Sequence, residues 1–109
     1  MTIEELKELG ADTQDGLKRC GNNEAFYLKL IPKALEESKY KELEEKINEK
    51  KFAEAFEVAH ALKGVLSNLS LTPIYEPIYE ITELLRNKSD VDYSALLGKM
   101  WEEKNRFPN

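Results

Sequence analysis

The apolar positions between Phe52 and Ser70 recur every three or four residues, which is the spacing of one face of an α-helix. At about 100° per residue they gather into one broad stripe, which consists of Ala55, Val58, Ala59, Leu62, Val65, Leu66 and Leu69. His60, the only histidine of the chain, falls roughly 150° from the centre of this stripe. Phe56 lies at the edge between the stripe and the histidine face. The pattern therefore predicts an amphipathic helix over residues 52–70 that presents His60 to solvent.

Three further long helical patterns accompany this one. The first covers residues 23–50, and because Pro32 lies inside it, either one bent helix or two helices fit the sequence. The second begins at Thr72, which we expect to cap a helix that has proline at its first position. The third follows a polar turn, and either Ser89 or Asp90 is expected to cap it.

Two short helical patterns precede the long ones, within residues 1–21. They end at Gly10 and Gly21 and are too short to be stable alone, so we expect them to pack on the larger helices. No alternating strand pattern appears in the sequence. Four long helices joined by short turns favour an antiparallel up-down four-helix bundle over residues 23–107. We therefore expect an all-α protein with a single helical-bundle domain over residues 1–109.

Composition and charge narrow the class of protein. With 109 residues, of which 41% are hydrophobic and 34% charged, the chain has the composition of one globular domain. The net charge of -5 and the lack of a basic stripe argue against nucleic acid as a partner. Cys20 is the only cysteine, which excludes an intramolecular disulfide and favours a reducing compartment. No signal peptide or membrane-length apolar run is visible, so we expect a cytoplasmic protein that does not bind membranes.

The residues that follow His60 indicate a site for an anion. Lys63 lies three positions further on the same face, where its ammonium can reach a group attached to the imidazole. Gly64 lies one turn after the histidine, although a glycine within a helix costs about 1 kcal/mol relative to alanine. Such a glycine is tolerated best where another molecule approaches the backbone closely. The three residues together predict a bulky anion on His60 and open access for a partner.

The segment His60-Ala61-Leu62-Lys63-Gly64-Val65, followed by Asn68-Leu69, resembles the H-x-L-K-G and N-L signature of histidine-containing phosphotransfer (HPt) domains. A weaker similarity to the entry segment of that family covers residues 17–27, so the resemblance extends over most of the chain. The family usually has a glycine after the N-L pair, where this chain has Ser70. That difference concerns the end of the helix more than its chemistry.

The resemblance implies a phosphocarrier of multistep phosphorelays that has no ATP site and is not an autonomous enzyme. His60 would accept a phosphoryl group from a receiver-domain aspartate and pass it to another receiver. Lys63 would offset the charge of the phosphoryl oxygens, and Gly64 would leave space for the receiver. The expected partners are response-regulator receiver domains and a hybrid sensor histidine kinase. The chain is expected to be a monomer without a cofactor, since the receiver would bring the magnesium.

A polar residue on the next helix is a further candidate for the site. A tight turn near Leu71 makes the helices on either side an antiparallel hairpin, and reflection about residue 71 brings Thr82 level with His60. HPt domains often place a glutamine or glutamate near this point, so Thr82 is a candidate to hydrogen-bond the imidazole or the phosphoryl group. Arg86, one turn further, is a weaker candidate.

Two other functions fit parts of the pattern. A helical adaptor could bind a receiver or a kinase without being phosphorylated, although it would have no need for His60, Lys63 and Gly64 together. A di-iron bundle would use the E-x-x-H spacing of Glu57 and His60, but it needs a second such pair and inward-facing ligands. Cys20 lies in a different segment, and nothing pairs it with His60 for nucleophilic catalysis.

Overall fold

Seven α-helices account for most of residues 1–108, the part of the chain that the computed structural model describes, and that part contains no strand. In chain order they are α1 (Ile3–Glu8), α2 (Thr13–Arg19), α3 (Glu24–Ala34), α4 (Glu37–Asn48), α5 (Phe52–Asn68), α6 (Thr72–Arg86) and α7 (Ser94–Arg106). The predicted all-α class is therefore confirmed. Within the same residues, no helix is long and apolar enough to cross a membrane.

The pattern over residues 23–50 forms two helices, which settles the choice that the sequence left open. α3 ends at Ala34 and α4 begins at Glu37. Pro32 lies in the last turn of α3 and lacks the N–H that an unbroken helix would use there. The buried hydroxyl of Tyr40 donates a hydrogen bond across the break to the carbonyl of Ala34, at 2.6 Å. This bond satisfies a carbonyl that the helix end leaves free, and burial raises the pKa of Tyr40 above its ordinary value.

The core of the molecule forms around α5 and α6. α5 packs against both α4 and α6, and α6 also packs against α7. The side chains buried between them are mainly aliphatic, and they include Leu43, Ile47, Ala55, Ala59, Leu62, Leu66, Ile78, Ile81, Leu85 and Met100. The buried face of α5 is narrower than the predicted stripe, because Val65 is 41% exposed. Burial of each large apolar side chain contributes about 1.5–3 kcal/mol, so α5 is held firmly along its length.

α2 crosses over the corner at which α5 ends and α6 begins. The backbone N–H of Asp12 donates to the carbonyl of Ser70, at 3.0 Å. A Cβ atom at Gly16 would lie 2.6 Å from the ring of Tyr27 and 2.7 Å from the carbonyl oxygen of Leu69. The hydroxyl of Tyr27 donates to that same carbonyl at 2.8 Å, and burial raises its pKa to about 12. Only glycine permits so close a crossing, so this position in α2 is fixed by packing.

α5 ends two residues earlier than the apolar pattern predicts. Its last residue is Asn68, and Ser70 has a left-handed backbone with a φ of 54°. That conformation favours glycine, but the hydroxyl of Ser70 donates a hydrogen bond to Asp15 Oδ2 at 2.5 Å. This bond, together with an ion pair from Arg19, holds the pKa of Asp15 below its ordinary value. A partner on α2 thus helps to hold a serine where the HPt family usually has glycine.

The predicted starts of α6 and α7 differ from the structure by one residue and by several residues, respectively. Thr72 is the first residue of α6 and not its cap. α7 begins at Ser94 instead of directly after Ser89 or Asp90. The carboxylate of Asp92 accepts hydrogen bonds from both the N–H and the hydroxyl of Ser94, at 2.9 and 2.5 Å. This local bonding starts the helix at a later residue than the polar turn alone suggests.

Candidate functional site

His60 lies in the middle of α5, and its side chain is exposed as the apolar pattern predicts. Across residues 1–108, no side chain or backbone group forms a hydrogen bond or an ion pair with the imidazole. Its one ring contact is with Phe56, one turn earlier on the same helix. Both ring nitrogens are therefore accessible to another molecule.

Phe56 stacks on the imidazole. The two ring centroids are 5.6 Å apart and the planes are inclined by 22°. Phe56 is half-buried, and its side chain packs against the hydrophobic core. The guanidinium of Arg86 lies 5.1 Å from the centroid of the same ring, and Glu83 accepts a hydrogen bond from Arg86 Nε at 3.3 Å. Phe56 thus connects His60 to a cation on α6.

Lys63 supplies a second positive charge on this face. Its side chain is partly buried, and its ammonium lies 5.6 Å from the centroid of the Tyr79 ring on α6. In the part of the chain that the structure describes, no carboxylate pairs with this ammonium. A charge held on an aromatic face and not neutralised by an acid stays available to an incoming anion.

Gly64 is exposed, and a Cβ atom built at this position would have no other atom within 4 Å. Packing within the protein therefore does not require glycine here, in contrast to Gly16. The missing side chain leaves an open surface one turn from His60, at a cost of about 1 kcal/mol in helix stability relative to alanine.

The predicted register between α5 and α6 is correct. Lys63 meets Tyr79 and Phe56 meets Arg86, and the members of each pair lie at equal distances in sequence from residue 71. The same reflection brings residue 82 level with His60. The position along the helix could therefore be read from the turn alone.

Thr82, however, does not reach the histidine. Its side chain is fully buried, and its hydroxyl donates a hydrogen bond to the carbonyl of Ile78 at 2.6 Å. α6 is rotated so that Thr82 lies on its buried side with Ile78, while Tyr79 and Arg86 lie on the exposed side. The structure places Thr82 in the core, and the site role expected for it is not supported.

The structure adds two aromatic residues to this face. The sequence does not indicate Tyr79, and it indicates Phe56 only as part of an apolar edge around the histidine that would suit docking of a receiver domain. The available signal was spacing: Phe56 precedes His60 by four residues, and such pairs meet on a helix surface. Tyr79 lies three residues before Thr82. In the orientation that α6 adopts, Tyr79 is exposed beside α5, whereas Thr82 is buried.

The described residues contain no group of three or more His, Cys, Asp or Glu side chains that could hold a metal ion. Glu57 and His60, the E-x-x-H pair, are both exposed. Carboxylate-bridged metal sites in helical bundles are built from ligands that point inward. The geometry of this pair is therefore not that of such a site.

No protein-family model matches the chain, and neither the curated proteins nor the solved structures yield a match. The chemistry of the His60 face is therefore the basis for a functional assignment.

Proposed function

We propose that this protein is a phosphocarrier of a phosphorelay, in which His60 accepts a phosphoryl group from one receiver-domain aspartate and passes it to another. The observation that carries this proposal is an exposed imidazole, free of hydrogen bonds, beside a glycine that packing does not require. The imidazole makes none of the bonds of a structural histidine, and Gly64 lies one turn from it on the same helix, where it leaves the backbone open to a partner.

The transfer step balances without a cofactor on this chain. One nitrogen of the neutral imidazole of His60 attacks the phosphorus of an aspartyl phosphate on the receiver. The N–P bond forms while the P–O bond to the aspartate breaks, and the electron pair of that bond leaves with the carboxylate. The second ring nitrogen, which carries the N–H of the neutral imidazole, then loses its proton to water. Onward transfer is the reverse reaction, with a second receiver aspartate as the nucleophile.

The neighbouring residues act on charge and access. The phosphoryl group would add negative charge within one helical turn of Lys63, whose ammonium no acid neutralises in the described chain, and the attraction would stabilise the charged group. The open surface at Gly64 allows the receiver aspartate and its loop to come close to His60. Phosphoryl transfer is accelerated mainly by positioning of the reacting groups and by stabilisation of charge, and Gly64 and Lys63 would contribute to these two effects.

The wider setting belongs to the same proposal. Residues 23–107 would form an antiparallel four-helix bundle in which α3 and α4 together count as one broken helix. The donor would be the receiver domain of a hybrid sensor histidine kinase, and the acceptor a response-regulator receiver. The receivers would bring magnesium, and the relay would operate in the cytoplasm with this protein as a monomer.

The proposal is tested by incubating the purified protein with receiver domains that carry a labelled aspartyl phosphate. The set comprises every receiver domain of the source organism, each phosphorylated with labelled acetyl phosphate. The expected result is an acid-labile, base-stable label on the wild-type chain from at least one receiver, and none on His60→Gln. Equal labelling of both chains, or no labelling of wild type by the whole set, overturns the proposal. A receiver that binds tightly without transfer would instead identify a helical adaptor.

A further inference from the structure

We propose that Phe56 is the positioning residue of the site: its ring fixes the orientation of the His60 imidazole and thereby the direction in which the nucleophilic nitrogen faces. This inference rests on the proposed function of His60. The observation behind it is that Phe56 makes the one ring contact of the imidazole, which forms no hydrogen bond or ion pair within residues 1–108.

An exposed histidine on a helix surface has several staggered rotamers and exchanges between them within nanoseconds. A hydrogen bond to one ring nitrogen usually limits this freedom and also selects the tautomer. Here Thr82, the polar residue level with the histidine, donates its hydrogen bond to the backbone carbonyl of Ile78 instead. The aromatic stack is therefore what remains to hold the imidazole in one orientation.

Phe56 is suited to this role because its own ring is held on several sides. It lies one turn from His60 on α5, which is the spacing at which two helix side chains meet. Its ring packs against the core and contacts the guanidinium of Arg86, which Glu83 holds in turn. A ring supported in this way offers a fixed surface, whereas a flexible apolar side chain would not.

The expected effect follows from the strength of aromatic pairs. Loss of such a contact is expected to change the population of the productive orientation by about two- to tenfold. This loss lowers the rate constant of transfer within the complex, because the nitrogen is in the attacking direction for less of the time. The affinity for the receiver is expected to stay nearly unchanged in a leucine variant, since leucine keeps an apolar side chain at this edge of the face.

The experiment compares Phe56→Leu, Phe56→Tyr and wild type, with Phe52→Leu as the matched control. Phe52 begins α5, is partly buried like Phe56, and contacts the ring of Tyr93 instead of the histidine. Two quantities are measured. One is the NMR shift of the His60 ring protons, which are unambiguous because the chain has one histidine. The other is single-turnover transfer as a function of receiver concentration, which separates the rate constant from half-saturation.

In Phe56→Leu, the His60 ring protons are expected to move toward their shifts in an unfolded peptide. The transfer rate constant is expected to fall about two- to tenfold, with half-saturation within about twofold of wild type. Phe56→Tyr is expected to restore both quantities, and Phe52→Leu to change neither. Unchanged ring-proton shifts in Phe56→Leu, or a lowered rate that Phe56→Tyr does not restore, overturn the inference. If wild type takes no label at all, the proposed function fails, while the NMR shifts still report whether the stack exists.

Discussion

Gly64 and Gly16 show two different reasons for a glycine in a helix. At Gly16 a side chain would collide with the ring of Tyr27 and with backbone, whereas at Gly64 the space is empty. Gly98 of α7 is also exposed with empty space around its Cβ direction, but it lies on a helix that does not carry the histidine. The pair Gly64 and Gly98 therefore separates the effect of a helix glycine on stability from its effect on access.

Gly64→Gln is expected to stabilise the protein by a few tenths to about 1 kcal/mol, because glutamine is a better helix former than glycine. The same variant is expected to lower the second-order rate constant of phosphoryl transfer by about tenfold or more, because the new side chain projects where the receiver approaches. Urea unfolding and transfer kinetics measure the two effects. Gly98→Gln should show a similar gain in stability with normal transfer, and normal transfer in Gly64→Gln would show that access there is unimportant.

At the level of helices, the periodic pattern was sufficient for α5 and for its register with α6. The apolar spacing identified the exposed side of His60, and the short turn at residue 71 placed the two helices side by side. Rotation of α6 was less evident, because Thr82 is polar yet lies among apolar positions. Its hydroxyl bonds to the carbonyl four residues earlier, which allows a threonine to be buried in a helix at little cost.

Other helix boundaries depended on hydrogen bonds from side chains that the apolar pattern does not show. The end of α5 is affected by the bond from Ser70 to Asp15, which are 55 residues apart. The break between α3 and α4 is covered by the hydroxyl of Tyr40. Neither contact leaves a signal in the local pattern. The end of α5 was therefore predicted two residues too late, and the break between α3 and α4 could not be decided from the sequence.

The crossing of α2 over the end of α5 yields a prediction of stability. Gly16→Ala is expected to destabilise the protein by about 1–3 kcal/mol, because the added methyl group must displace the Tyr27 ring or the Leu69 carbonyl. The shift in the midpoint of urea unfolding at an unchanged slope measures this loss. Gly98→Ala, where no such contact exists, is expected to be neutral or stabilising. Equal stability of Gly16→Ala and wild type would show that α2 can move away from α5 freely.

For the molecule as a whole, stability at acid pH depends on carboxylates that are bonded in the folded state. The pKa of Asp15 is lowered mainly by the hydrogen bond from Ser70 and, to a smaller extent, by Arg19. The pKa of Asp92 is lowered by hydrogen bonds from the hydroxyl and the N–H of Ser94. A carboxyl whose pKa is lower in the folded than in the unfolded state stabilises the fold above its unfolded pKa. That contribution disappears as the pH falls through the folded pKa.

The free energy of unfolding is therefore expected to decrease as the pH is lowered from about 4 towards 2. Asp15→Asn removes one of the groups responsible, so its stability should be lower than that of wild type at neutral pH and should fall less steeply in acid. Urea unfolding at several pH values provides the measurement. Ser70→Ala is also expected to be less stable than wild type at neutral pH and to lose stability less steeply in acid, because it removes the principal cause of the lowered pKa of Asp15. Parallel pH profiles for wild type and Asp15→Asn would contradict this account.

His60 lies at the centre of a continuous helix of 17 residues that is packed on α4 and α6 and is open to solvent on one side. If the protein carries phosphoryl groups as proposed, its donor and its acceptor must use that one side in turn, and neither can bind while the other is present. The two partners would then compete, and surplus unphosphorylated acceptor would inhibit loading of the carrier. Under such conditions dissociation of the bound receiver domain, and not the chemical step, would limit the rate at which a signal passes.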